Sequence, residues 1–200
     1  MAEAAKGAHK AEAAPPRMAE ADGTPEANAF LEALRAKVGD AILEARARGR
    51  EVVMQVRPDR NVEVAQALSD MGLEYLNCLS GVDWIAQNQM EVVYNVSSLS
   101  HPVKVEMKVF LPRDDPRVRT VVPIWASANW HERETYDLFG VVFEGHPDLR
   151  RILLPEDWMG YPLRKDYEDE RMPRFDAAEK KRRARLFSRD AEAPAEAEEK

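Results

Sequence analysis

This chain has almost no cysteine. Cys78 stands alone among 200 residues, which excludes an intramolecular disulfide, a four-cysteine zinc site and a self-contained iron–sulfur cluster. Any redox centre that works with it must belong to a partner. As a nucleophile Cys78 has no local support, because it follows Asn77 in a run from Leu76 to Leu79 that reads as core.

Long apolar runs are equally absent. No stretch approaches the roughly 20 residues needed to span a bilayer, and the N-terminus lacks the hydrophobic core of a secretory signal. Glu3, Glu12, Glu20 and Asp22 interrupt a leader that an organellar transit peptide would keep poor in acids, so a soluble, cytoplasmic chain is expected. There is no GxGxxG, no phosphate-cradling GxxxxGK[ST] and no GxSxG. The pair His131-Glu132 begins like a zinc-protease helix, but Thr135 stands where the second histidine belongs. Glu132 and Glu134 project to different sides of a helix and build no carboxylate dyad. A charge excess fit for nucleic acid or anionic lipid is missing too, since the formal net charge is −7 and spread along the chain.

What is present suits one folded domain with tails, because 44% of 200 residues are apolar, enough for a sizeable core. Residues 1–23 are Ala-rich, polar and broken by Pro15 and Pro16, the composition of a disordered leader. Thr24 caps a helix with Pro25 in its first position, and Phe30, Leu31, Leu34 and Val38 form its apolar stripe. Ile42–Arg46 reads as a short strand and Glu51–Val56 as a stronger one. Residues 62–71 give a second amphipathic helix with Val62, Val64, Ala65 and Leu68 inward, ended by Gly72. Tyr75–Trp84 contributes a strand with a bend at Gly81. Val92, Tyr94 and Val96, then Val103, Val105, Met107, Val109 and Leu111, alternate with polar residues on either side of SLSHP, predicting an antiparallel hairpin. Arg113–Arg119 reads as a polar connection. The fold class is α+β: a mainly antiparallel sheet covered on one face by helices, followed by a helix and an extended, partner-binding C-terminal arm.

That last part, WHERETYDLFGVVFEGHPDLRRILLPEDWMGYPLRKDY over 130–167, is dense in aromatics, charges and prolines. The absence of Pro and Gly from Ala126 to Phe139, with Gly140 next, predicts a helix with a left-handed cap. Asn129, Glu132, Tyr136 and Phe139 share one face, and Arg133 and Asp137 are spaced as a surface pair. Glu132 has two readings, an acid satisfied within its own domain or one met by a partner. Beyond Gly140 the chain is too apolar to be free and too irregular for a long helix or central strand, and its mixed charges favour a protein partner over a one-signed nucleic-acid groove. The divisions expected are a leader over 1–23, an α+β domain over 24–140, a docking arm over 141–175, and a basic helix with an acidic disordered tail over 176–200. In that last division Asp176 caps a helix bearing Lys180, Lys181, Arg182, Arg183 and Arg185, a solvated face rather than a phosphate-binding one given the acids that follow.

The string ERETYDLFG, followed by GHPDLRRILLPEDWMGYPLRKDY, closely resembles the C-subunit family of NADH:quinone oxidoreductase, respiratory complex I. Glu132, Arg133, Glu134, Asp137, Leu138, Phe139, His146, Arg150, Ile152 and Leu153 match that signature. The likeness continues more weakly over 26–125, including Val82 to Trp84, and does not cover the leader or tail. The resemblance implies a cofactor-free structural subunit of the hydrophilic arm, docked beside the D-subunit, which helps form the quinone site. FMN, iron–sulfur clusters and quinone are then expected in partner subunits, and the isolated chain is expected to be inactive. It implies a peripheral position on the cytoplasmic side of the membrane, with no direct span. No residue is expected to be catalytic, cofactor-binding or metal-binding. Glu132, Arg133, Glu134, Tyr136, Asp137, Phe139, His146, Arg150, Arg151, Trp158, Tyr161, Arg164 and Lys165 become candidates for contacts between subunits or for internal buttressing. Alternatives are the equivalent subunit of a ferredoxin-, hydrogenase- or F420-linked complex, a nucleic-acid-binding protein using residues 180–185, and an independent enzyme using Glu132 and His146.

Overall fold

Thr24 opens the fold by capping: its hydroxyl accepts from the Ala27 N–H at 3.3 Å, and Pro25 occupies the first turn, where its missing N–H costs nothing. The helix it starts, α1, runs Pro25–Val38 and buries Ala27, Leu31, Leu34 and Val38, with Phe30 at the margin of the core. The computed structural model describes residues 23–168. The leader as far as residue 22, residues 169–175 and the basic and acidic tail therefore lie outside the described residues.

Two strands follow α1, β1 (Ile42–Arg48) and β2 (Glu51–Val56), then helix α2 (Asn61–Asp70). On α2, Asn61 is buried with Val64, Ala65 and Leu68, while Val62 is only half-buried. Strands β3 (Tyr75–Trp84), β4 (Gln89–Ser97) and β5 (Lys104–Pro112) complete a five-stranded sheet in the order β1-β2-β5-β4-β3. The alternation that predicts the hairpin is realised, with Val92 opposite Val109 and Tyr94 opposite Met107 across antiparallel β4 and β5. Because side chains alternate across a strand, Val52, Met54 and Val56 share one face with Met90, Val92, Tyr94 and Val96 and with Val105, Met107, Val109 and Leu111, and all are buried. The helices contribute their apolar stripes to that same core.

The sheet is mainly antiparallel, as expected, with β1–β2, β4–β5 and β3–β4 antiparallel and only β2 and β5 pairing in parallel, at its centre; the chain reaches β5 only after crossing through α2, β3 and β4, so β5 enters beside β2 in the same direction. Two features differ from the sequence reading. Cys78 is exposed rather than in the core. A register shift between Leu76 and Cys78 inserts an extra residue, so Asn77 and Cys78 both face out before Leu79 returns inward. The stretch from Arg113 to Arg119 is more than a polar connection: Arg113 is buried, and β6 (Arg117–Arg119) pairs in parallel with β7 (Val142–Glu144).

The described residues up to Tyr167 form one compact unit, in which residues 141–167 pack with the sheet domain. Among the described residues no helix is long and apolar enough to cross a membrane.

Candidate functional site: the α3 helix and its returning arm

Helix α3 (Ala128–Phe139) lies against β3 at Gly81. A Cβ there would stand 2.9 Å from Phe139 Cδ2 and 3.2 Å from Thr135 Cγ2, so a bare backbone is what lets the helix come this close. Gly140 ends the helix in the left-handed region, φ 77° and ψ 26°, with its N–H donating to Tyr136 O.

Glu132 is fully buried on the inner face. Its carboxylate accepts from the Thr120 hydroxyl at 2.5 Å and from the Val121 N–H at 2.8 Å. Of its two readings, satisfaction within its own domain is therefore realised. Burial pushes its pKa up to about 7, with the Thr120 and Val121 hydrogen bonds pulling the other way. Behind it sits the fully buried Tyr94 hydroxyl, whose pKa is raised by burial and then by the Glu132 charge. Asn61, beside Tyr94, donates through Nδ2 to Arg119 O at 2.7 Å and so ties α2 to the same region.

Asp137 does something different. One oxygen of this fully buried carboxylate accepts from Arg151 Nη1 at 2.8 Å, and the other accepts the N–H groups of Ile152, Leu153 and Leu154 at 3.0, 2.8 and 3.0 Å. Burial raises its pKa, but the donors from Leu154, Leu153, Arg151 and Ile152 outweigh that, and it is held below the usual carboxylate range. The surface pair expected between Arg133 and Asp137 is not formed. Both are buried; Asp137 has taken Arg151, while Arg133 donates through Nε to Arg150 O at 3.2 Å and lies 5.2 Å from the Trp130 ring centroid. Four-residue spacing brings two side chains to one helix face, but here that face is covered by the returning arm.

His146 closes the turn before the arm. Its Nδ1 accepts from the Asp148 N–H at 3.0 Å, which leaves Nε2 to donate to Asn129 O at 3.2 Å. Burial, then the nearby Arg133 charge, hold its pKa below the ordinary histidine value against the Asn129 and Asp148 contacts. Arg151 and Arg164 lie 5.5 and 5.0 Å from the Tyr161 ring centroid, and their guanidinium groups donate to Gly160 O and Phe139 O. Tyr161 itself rests on Gly140, where a Cβ would come within 2.5 Å of the ring. Lys165 donates its N–H to Asp83 at 2.8 Å. Trp158 and Tyr136 are half-buried, while Arg150 and Glu134 are exposed, Arg150 pairing with Asp148 at 3.0 Å.

The sequence reading missed the other end of this clasp. Asp83 forms a two-pronged pair with Arg113, at 2.7 and 3.0 Å, and Arg113 also holds Asp166. One signal was available: Asp83 falls in phase with Leu79 and Gly81 on the core-facing side of β3, and an acid at such a position needs a partner. Among the described residues no group of three or more His, Cys, Asp or Glu side chains is placed to hold a metal ion. The polar groups around α3 fasten chain to chain. On the outside of the same segment Trp130, Leu153, Met159 and Leu163 are 63, 59, 80 and 50% exposed, among exposed charges that include Glu134, Asp148, Arg150, Glu156 and Asp157.

Residues 54–172 match the family described as respiratory-chain NADH dehydrogenase, 30 Kd subunit, a region that includes the whole α3 helix and the arm as far as residue 172. The chain is 44% identical over 143 residues to the C-subunit of the NADH-quinone oxidoreductase of Chloroherpeton thalassium, covering 68% of this chain and 58% of that relative, so it spans under two thirds of that protein's length. It is 40% identical over 149 residues to the C-subunit of the F(420)H(2) dehydrogenase of Methanosarcina mazei, with 72% and 92% covered. Among solved structures, a trypsin-resistant fragment of Nqo5 superposes with a TM-score of 0.52 at 33% identity, over 62% of this chain and 99% of the fragment. A chain of an archaeal membrane-bound sulfane sulfur reductase superposes with a TM-score of 0.65 over 86% of this chain and 96% of its own; at 21% identity it speaks for the fold alone. With the family model covering more than half of the sequence, this chain belongs to the 30 kDa subunit family of the respiratory-chain NADH dehydrogenase.

Proposed function

We propose that this chain is a structural subunit of the hydrophilic arm of an NADH:quinone oxidoreductase. It docks beside the D-subunit, which helps form the quinone site, and near the cluster-bearing subunits, and holds the quinone-reducing module in place. Electrons pass from NADH through FMN and iron–sulfur clusters of other subunits to quinone, and this chain contributes no catalytic, cofactor-binding or metal-binding residue. It sits peripherally on the cytoplasmic side of the membrane through the complex. The observation that carries this reading is the coincidence of the family match with a segment whose buried carboxylates are met inside the chain while Trp130, Leu153, Met159 and Leu163 stand exposed. Purification of the tagged full-length chain from its native membranes is expected to bring down the D-subunit together with flavin- and cluster-bearing chains. Recovery as a monomer without them would overturn the proposal.

A second reading has its own support, because the F(420)H(2) dehydrogenase relative is covered over 92% of its length. The electron donor separates the two: the purified complex oxidises NADH on the first reading and reduced F420 on the second.

A further inference from the structure

Among the described residues two arginines are buried, and they are treated differently. Arg113 meets the carboxylates of Asp83 and Asp166. Arg133, 8% exposed, has a backbone carbonyl and an aromatic ring for partners, and among the described residues no carboxylate pairs with it. Of the other cations at the helix–arm junction, Arg151 has Asp137, and Arg164 donates to Phe139 O beside the Tyr161 ring. Arg133 has its Nε on Arg150 O, and neither of its terminal nitrogens is among the buried atoms without a partner, so the guanidinium still reaches the surface and a carboxylate brought from outside can meet it. Directly over this guanidinium lies Trp130, in the first turn of α3 and 63% exposed. Tryptophan and arginine are the residue types that most often carry the binding energy of an interface, and a tryptophan held by a stacked cation loses little freedom on docking.

We infer that Trp130, stacked on Arg133, is the anchor through which this chain grips a protein partner that brings an acidic side chain, set among apolar ones, to the first turn of α3. The inference rests on the structural role in the complex proposed above and deepens it. The partner's apolar residues cover the outer face of the Trp130 ring, and its carboxylate supplies the counter-charge that Arg133 lacks. The ring shields that ion pair from water, which makes the attraction stronger than at an open surface. The structure inside the chain is already complete around this point: Arg133 is fixed by Arg150 O, and Arg150 is in turn paired with Asp148. Docking therefore requires no rearrangement of the arm.

The test is a competition between two differently tagged full-length copies, wild type and variant, expressed together and recovered in the membrane complex. Trp130→Ala and Arg133→Met are each expected to be under-represented by about tenfold or more, with Trp130→Phe intermediate. Thermal melting of the purified full-length chains makes the result specific. Trp130→Ala removes an exposed side chain and is expected to leave the melting temperature of the free chain unchanged, whereas Arg133→Met also gives up the bond to Arg150 O and lowers it slightly, so the Trp130→Ala melt is the one that decides. Equal incorporation of variant and wild type would overturn the inference while leaving the structural role in the complex standing. Under-representation of Trp130→Ala matched by a lowered melting temperature would overturn it too, as would loss of a wild-type homodimer in place of loss from the complex. If neither copy is recovered with any membrane partner, the structural role fails and the inference fails with it.

Discussion

Two fully buried carboxylates on one helix, Glu132 and Asp137, are displaced in opposite directions by the company they keep. Glu132 has two neutral donors, and burial lifts it from its ordinary 4.5 to about 7. Asp137 has three backbone N–H groups and a guanidinium, and is held below its ordinary 3.8. Linkage turns these into opposite pH dependences. A raised folded-state pKa means that the stabilisation from Glu132 is fully present below about 4.5 and is lost as pH climbs through about 7. A lowered one means that the stabilisation from Asp137 is present above 3.8 and is lost as pH falls through its depressed value. Glu132→Gln keeps an acceptor for Val121 N–H and a group able to donate to the Thr120 oxygen, and it cannot ionise. Its urea midpoint is expected to gain on wild type from pH 5 to about pH 7 and to level off above that; parallel curves for the two proteins would refute the assignment. Asp137→Ala leaves Arg151 without its anion and three N–H groups without an acceptor, and is expected to cost about 3–5 kcal/mol by urea unfolding at pH 7, with Asp137→Asn recovering only part.

At the scale of elements, the junction between α3 and its arm turns on Gly140. Its backbone is left-handed and its Cα faces the Tyr161 ring, so Gly140→Ala meets two penalties. The conformation costs about 1–2 kcal/mol for a residue with a Cβ, and the overlap with Tyr161 about 1–3 kcal/mol. Together they place the expected loss at about 2–5 kcal/mol, accompanied by faster tryptic cleavage at Arg151 and Arg164 as the ring they flank is displaced. Unchanged cleavage would mean that the arm does not depend on this seat. Gly140 as a cap was legible from its place after a run free of Pro and Gly, and so were Thr24 with Pro25 and the alternation of β4 and β5, because these are local signals. The parallel pairing of β2 with β5 was not, since a period of two fixes which face a residue takes and says nothing about which strand lies beside it. Strands β6 and β7, three residues each, are too short to show a period. Arg133 and Asp137 were read as partners from spacing on one helix, whereas their actual partners, Arg150 O and Arg151, arrive from a segment that spacing cannot locate. Asp83 was the avoidable omission, an acid in phase with core positions.

Across the whole molecule, two buried carboxylates hold the backbone of the arm, and they belong to different layers. Asp137 on α3 takes the N–H groups of Ile152 to Leu154, while Asp83 on β3, braced by Arg113 from the end of β5, takes the N–H of Lys165. The intervening turns carry Tyr161, which contacts Arg151 near the first pin and Arg164 near the second. A segment fastened at both ends behaves as a closed loop: losing one pin enlarges the loop that the other must close and loosens the ring between them. The two pins are therefore coupled. In a double-mutant cycle of Asp83→Asn with Asp137→Asn, the double variant is expected to lose less stability than the two single variants added, by about 0.5–2 kcal/mol. Hydrogen exchange locates the effect, because either single variant should speed exchange at the Lys165 N–H and at the N–H groups of Ile152 to Leu154 alike. Strict additivity, with exchange rising only at the mutated end, would show two independent clasps and would mean that the outer surface of the arm is not presented as one rigid face.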